Sequence, residues 1–187
     1  MRRTTIDRRL YTLVNNLPHT GYLDEQVTLL SDLGKGAGWM AGAGWLALRD
    51  GARGRRAALA SAGAMLVAVA LVQQGIKGTF PRRRPFADQV ARVIGSRPTD
   101  ASFPSGHTAG SFAAAIALTT FYPRDSPLLL GLAAAVGASR VYLGHHFPSD
   151  VLVGAGLGAG LGLVARRLLG DRVADSIAAR VGDPGDR

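Results

Sequence analysis

The chain contains no cysteine, which excludes disulfide bonds, thiolate nucleophiles and zinc sites built on thiolates. Lysine is nearly as scarce: Lys35 and Lys77 are the only two, so arginine carries the net charge of +9. Acidic residues number 13 in 187, and they do not gather into the carboxylate cluster that a magnesium site would use. There is no Walker lysine motif. The glycines Gly154, Gly156, Gly158, Gly160 and Gly162 lack the strand and crossover that would make them a dinucleotide fingerprint. No cleavable signal peptide is expected, because Arg2, Arg3, Arg8 and Arg9 are followed by polar turn residues instead of an apolar stretch.

Apolar residues make up 47% of the chain and charged residues 19%, yet the mean hydropathy is +0.14. The apolar residues must therefore be clustered. A helix that crosses a bilayer needs about 20 mostly apolar residues. Ala57 to Ile76 meets this without a single charge, and Gly106 to Tyr122, Leu128 to Leu143 and Val151 to Leu169 are further candidates. Gly36 to Leu48 is short and needs Leu29 to Gly34 to complete it. The expectation is an all-α membrane protein, a compact bundle of about five transmembrane helices over residues 36–170. An amphipathic juxtamembrane segment (1–35) precedes it and a polar tail (171–187) follows, with Gly182 to Arg187 disordered.

Within the first segment Leu23, Val27, Leu30 and Leu33 recur at helical spacing, as in a helix lying along the membrane surface or against the bundle. Pro18-His19-Thr20-Gly21 reads as the turn before it. Small residues repeat every four positions in the last span and permit close helix approach, either inside a monomer or between two copies in a homodimer.

The arginines stand in short loops between apolar runs. That pattern suits anionic phospholipid head groups and not nucleic acid. Arg49 to Arg56 reads as a basic loop between the first two spans, and Arg166, Arg167 and Arg172 follow the last one. Both are where the positive-inside rule places the cytoplasm, which puts the segment from Lys77 to Phe103 and the loop after His145 outside. The bias to Arg, Ala and Gly points to a GC-rich bacterial genome, and hence to a multi-pass protein of the bacterial inner membrane.

Charged groups and histidines at the edge of apolar segments mark a functional site. Lys77, Arg84 and Arg140 can form a cationic clamp, the two arginine forks being suited to bidentate contact with phosphate. Ser105 stands where it can cap the helix that follows, so that the backbone N–H groups of Gly106 and His107 face an anion. Pro104 and Gly106 shape that entry. His146 and Asp150 are near enough for the carboxylate to accept the imidazole N–H, which leaves the other ring nitrogen free to attack phosphorus. Pro148 would start the last span, with Asp150 in its first turn. His107 can protonate a leaving alkoxide and then activate water.

Lys77, six residues, Arg84-Pro85; Pro104-Ser105-Gly106-His107; Ser139-Arg140, five residues, His146, three residues, Asp150: in this order and spacing the chain resembles the type 2 phosphatidic acid phosphatase superfamily of integral-membrane lipid phosphate phosphatases. The resemblance implies a helical core shared with the haloperoxidases. It implies that Lys77, Arg84 and Arg140 bind phosphate with Ser105 and Gly106, that His107 is the general acid, that His146 rather than His145 becomes phosphohistidine, and that Asp150 orients it. It also implies catalysis without a metal or other cofactor. Many bacterial members have six spans, whereas the sequence before Leu29 is too polar for another here. A polyprenyl-linked substrate of cell-envelope synthesis is expected: undecaprenyl or decaprenyl diphosphate, or decaprenylphosphoryl-5-phosphoribose. Phosphatidylglycerophosphate and phosphatidate are the alternatives, and a non-catalytic phospholipid binder is the alternative of another class.

Overall fold

A computed structural model describes residues 5–88 and 92–181. It is all helical, with no strand, among those residues. Two short helices, α1 (Ile6–Asn15) and α2 (Gly21–Asp32), lead into α3 (Gly38–Arg49) and the long α4 (Gly51–Thr79). After a connection that is extended at 81–84 and makes a 3-10 turn at Pro85–Asp88 come α5 (Gly106–Thr119), α6 (Ser126–Tyr142) and α7 (Pro148–Val181).

Side-chain oxygens start the first two helices. Thr5 accepts from the N–H of Arg8, and Thr20 from that of Leu23, each satisfying a donor that the first turn leaves unpaired. The expected turn at Pro18 to Gly21 lies between them. Along α2 the leucine stripe is only partly buried, with Leu23 and Leu33 exposed and Val27 and Leu30 half-buried, while the face that carries Ser31 is fully buried at that residue. That face is held against the bundle by polar contact, because Ser31 meets Arg140 of α6.

Among the described residues two helices, Gly51–Thr79 and Pro148–Leu168, are long and apolar enough to cross a membrane. The first expected span does not form one helix. Gly36 at φ 139° lies in the left-handed region that glycine tolerates, and it kinks the chain between α2 and α3. At 12 residues, α3 is about 18 Å long. The expected basic loop at Arg49 to Arg56 is also corrected. Gly51 turns the chain at φ 54°, so Arg53, Arg55 and Arg56 stand on the first turns of α4. Arg53 donates to the carbonyl of Phe121 at 3.0 Å and stacks on the Tyr122 ring, contacts that a helical arginine makes better than a mobile one. Similarly α7 continues to Val181, so Arg166, Arg167 and Arg172 belong to that helix and do not follow it. The tail Gly182 to Arg187 lies outside the described residues.

α5 is the centre of the bundle. Ala109, Ala113, Ala114, Ala115 and Ala117 are buried along it, and their small size admits α4 on one side and α7 on the other. The repeating glycines of α7 supply the matching surface. A Cβ at Gly154 would lie 2.6 Å from the Ser105 carbonyl oxygen, and one at Gly158 would lie 2.1 Å from that of Ala109. This part of the small-residue stripe packs inside the monomer, whereas Gly156 and Gly160 face open space. The contact fixes how far α7 slides along α5, and so aligns their N-terminal ends.

Candidate active site

The C-terminal ends of α4 and α6 meet the N-terminal ends of α5 and α7 at one end of the bundle, and the segment between α4 and α5 folds over them. Lys77 lies in the last turn of α4, directly after a widened π-type turn at Leu71–Ile76, a feature common at functional positions. Arg84 follows in the extended segment. Ser105, Gly106 and His107 begin α5, Arg140 is in the last turn of α6, His146 in the α6–α7 connection, and Asp150 in the first turn of α7, which Pro148 opens. The structure brings all the expected site residues to this end. Lys77, Arg84, Arg140, His146 and Asp150 are each at most 7% exposed, where an unpaired charge would be strongly disfavoured.

Lys77, Arg84 and Arg140 lie within electrostatic reach of one another. Arg84 donates from Nε to the Asp100 carbonyl at 2.9 Å, from Nη1 to the His145 carbonyl at 2.9 Å and from Nη2 to the Asp100 carboxylate at 2.6 Å. Lys77 pairs with the other oxygen of the same carboxylate. Arg140 donates to Ser31, but its Nε is buried without a hydrogen-bond partner among the described residues, as is Nε2 of His107. Buried polar atoms are rarely left so, and both belong to residues that the motifs assign to phosphate chemistry. Ser105 caps α5: its Oγ accepts from the Thr108 hydroxyl at 2.9 Å and faces the Thr108 N–H at 3.5 Å. The first-turn amides of Gly106 and His107 are thereby turned outward, at the positive end of the helix.

The protonation pattern of His146 follows from its neighbours. Its Nδ1 lies 2.7 Å from the Ser102 carbonyl oxygen, which can only accept, so Nδ1 carries the proton. Nε2 then presents a lone pair, and Arg84 Nη1 stands 3.4 Å from it. Burial first, then the nearby Arg84 and Arg140 charges, outweigh Asp150 and pull the His146 pKa down to about 4. The ring is therefore neutral at neutral pH, as a nucleophile requires. His145 is turned elsewhere, its Nε2 on the Ile94 carbonyl at 3.1 Å.

Asp150 differs from the expectation in one respect. Its Oδ2 is 3.7 Å from His146 Nδ1, beyond hydrogen-bond length, because the Ser102 carbonyl occupies that donor. Asp150 instead accepts from the Ser102 hydroxyl at 2.6 Å, from the Phe147 N–H at 2.9 Å and from Arg82 at 2.7 Å. It thus orders both the residue that accepts the imidazole proton and the turn that carries the imidazole. Its own carbonyl accepts from the Ser105 N–H at 3.0 Å.

Four residues of this arrangement are missing from the sequence reading. Arg82 joins Asp150 to Asp7 of α1, donating to Asp7 at 2.6 Å, and stacks 4.2 Å over the Phe147 ring. Asp7 also accepts from the N–H and hydroxyl of Ser149, at 2.9 and 2.6 Å. Ser102 and Asp100 complete the set. Burial works to raise the Asp100 pKa, but the Lys77 hydrogen bond and the charges of Arg84 and Lys77 dominate and hold it at about 2. Within the run Arg82-Arg83-Arg84 the motif spacing singles out Arg84, which is the buried one, and gives no sign that Arg82 pairs with Asp150. For the carboxylates and the serine no sequence signal was present.

A family model of the PAP2 superfamily matches residues 58–174. Over 118 residues, 63% of each chain, the protein is 37% identical to the decaprenylphosphoryl-5-phosphoribose phosphatase of Mycolicibacterium smegmatis. Over 69 residues it is 38% identical to the undecaprenyl-diphosphatase BcrC of Bacillus subtilis, covering 37% of this chain and 36% of that one. The chain thus aligns with a little under two thirds of the mycobacterial relative. Among solved structures, LpxE of Aquifex aeolicus superposes with a TM-score of 0.69 at 27% identity, covering 88% of this chain and 97% of that one. The transmembrane PAP2-type phosphatidylglycerolphosphate phosphatase of Bacillus subtilis shares the fold, with a TM-score of 0.63, 23% identity and coverage of 89% and 87%. Because the family match takes in more than half of the chain and contains every motif residue from Lys77 to Asp150, the protein belongs to the PAP2 superfamily.

Proposed function

We propose that this chain is a membrane lipid phosphate phosphatase that works without a metal through a phosphohistidine on His146. The observation that carries the reading is the placement of His146: Nδ1 on the Ser102 carbonyl at 2.7 Å, which leaves Nε2 free on the side of Arg84. Lys77, Arg84 and Arg140, with the amides of Gly106 and His107, hold the non-bridging oxygens and neutralise charge that a metal ion would otherwise neutralise. Nε2 of His146 attacks phosphorus, the N–P bond forms and the P–O bond to the leaving group breaks. His107, protonated beside the negative charge of the bound phosphate, gives that proton to the departing oxygen. Water then attacks the phosphohistidine, its proton passes to His107, and phosphate leaves as the N–P bond breaks. Asp150 keeps the ring and Ser102 in register throughout.

The substrate we infer is a polyprenyl-linked phosphate of cell-envelope synthesis. The relatives named for decaprenylphosphoryl-5-phosphoribose and undecaprenyl diphosphate support that class. The catalytic unit would span residues 36–170 in a bacterial inner membrane, crossed by α4, α5, α6, α7 and by α3, completed by the residues from Leu29 that lead into it, with the site at the external face. Phosphate release from such lipids in detergent is expected to survive excess EDTA and to be inhibited by vanadate, and rapid quenching with labelled substrate should trap acid-labile phosphate on wild type and none on H146A. Activity lost to EDTA and restored by magnesium would overturn the mechanism.

A further inference from the structure

The clamp that would receive phosphate already holds an anion of the chain's own. Asp100 places one carboxylate oxygen on Arg84 Nη2 at 2.6 Å and the other on Lys77 Nζ, two buried cations bridged by a single carboxylate. Arg84 also spends Nε on the Asp100 carbonyl and Nη1 on the His145 carbonyl. A guanidinium has five N–H donors in a fixed plane; Asp100 takes two of those of Arg84, and the His145 carbonyl, His146 Nε2 and the Ala101 carbonyl face the others, so a phosphate that engages Arg84 and Lys77 together competes with Asp100 for donors. The carboxylate has somewhere to go. It is 40% exposed and lines, with Arg83, Phe86, Arg97 and Thr99, a cleft of about 530 Å³.

We propose that Asp100 is an internal competitor for the phosphate clamp, displaced when substrate phosphate arrives and returning to the cations as product phosphate leaves. This rests on the phosphatase reading of the site and adds a residue that sets its affinity. The chemistry gives the competition two uses. At a membrane surface, cations without a counter-anion would collect the monoanionic phosphodiesters of bulk phospholipid, which are present in great excess. A resident carboxylate raises the dissociation constant of every external anion by one factor, so weak diesters fall below occupancy while a tightly held monoester dianion still binds. Product phosphate, held by the same cations, would dissociate slowly unless another anion took its place. The Asp100 carboxyl, held at about 2 by those cations, stays charged near neutral pH, so the competitor is present there.

A purely structural role makes the opposite prediction. If Asp100 serves only to position Lys77 and Arg84, removing its charge loosens the clamp and weakens phosphate binding. If it competes, removing the charge tightens binding. The experiment compares full-length wild type with D100N and D100S in detergent, reading orthovanadate and inorganic phosphate both as inhibitors and as ligands in thermal-shift titrations, together with KM and kcat on a polyprenyl phosphate. The D100N substitution keeps the shape of the side chain, and the shorter side chain of D100S cannot span both cations, so each variant checks the other's folding. The expected result is a fall of about tenfold in the inhibition constants of phosphate and vanadate, a parallel fall in KM without a rise in kcat, and new inhibition by phosphatidylglycerol in mixed micelles. D100E should return the constants towards wild type. Equal or weaker phosphate binding in both variants, with wild type binding normally, would overturn the role of Asp100 alone. If wild type binds neither anion, the phosphate site itself is refuted, and the competitor with it.

Discussion

Replacing Arg82 with glutamine should lower turnover while leaving phosphate binding almost intact. Arg82 makes no contact with the clamp. It donates to the fully buried Asp150 carboxylate at 2.7 Å and to Asp7 at 2.6 Å. Breaking a buried ion pair by removing one partner costs about 3–5 kcal/mol. Arg82 is itself 33% exposed, so water replaces part of the lost bond, and the Ser102 hydroxyl and Phe147 N–H still hold the carboxylate. A loss of about 1–2 kcal/mol is the reasonable figure. If that energy serves to keep the Ser102 carbonyl and the His146 ring in attack geometry, it appears in the transition state as a roughly 5- to 30-fold lower kcat, with KM within about twofold. Thermal unfolding in detergent should show a small destabilisation alongside. D7N should have a weaker effect of the same kind, and the D7N/R82Q pair should fall short of the sum, because both act through one carboxylate. R83Q, at the neighbouring position, is the control. A KM raised tenfold with kcat intact would make Arg82 a phosphate ligand, and an R82Q enzyme with wild-type kcat would show that Asp150 needs no support from α1.

H146A should abolish turnover while H145A retains most of it; substantial activity in H146A would reassign the nucleophile. In NMR titrations of the protein in micelles, the His146 ring should stay a neutral Nδ1–H tautomer until about pH 4, where the ordinary value is 6.5. With the folded pKa below the unfolded one, the stability it contributes is present above pH 6.5 and erodes as pH falls towards 4; titration of this ring near 6.5 would contradict its burial. G154A places a methyl group 2.6 Å from the Ser105 carbonyl oxygen, whereas G156A meets nothing within 4 Å, so the first should impair activity and melting temperature far more than the second, and equal effects would refute the α5–α7 register. The absence of native cysteine permits a clean topology test: S96C should react with an impermeant thiol reagent in intact cells and A52C should not, and the reverse pattern would move the site to the cytoplasmic leaflet.

Much of the helical scaffold was legible because long apolar runs need no tertiary information. Pro148 and Ser105 marked helix starts through local chemistry that the structure repeats, and Pro18 to Gly21 marked the turn before α2. What could not be read locally is instructive. α1 docks through Asp7, Tyr11, Val14 and Asn15, a face that is half polar, while Ile6, Leu10, Leu13 and Leu17 are exposed. Hydrophobic periodicity finds the apolar side of such a helix, and here that is the side turned away from the protein. The kink at Gly36 and the sharp turn at Gly51 escaped for a related reason: a positive φ is permitted by glycine but not announced by it, in a chain with 25 glycines.

The same asymmetry holds inside the site. Cations and histidines at the edge of apolar spans stand out because burying them is unfavourable without a special reason, and the order and spacing of Lys77, Arg84, His107, Arg140 and His146 pick them out together. Their counter-groups could not. Asp7, Asp100 and Ser102 are ordinary in loops or on a surface helix, and their function exists only after folding brings Asp7 across 142 positions to Ser149 and Asp100 across 23 to Lys77. A buried cationic clamp nevertheless requires such groups, since the charges must be compensated in the folded chain whether or not phosphate is bound. On the proposed function, the motifs supply the groups that act on an anion, and acidic residues outside the motifs set how tightly those groups are held and how readily they release it.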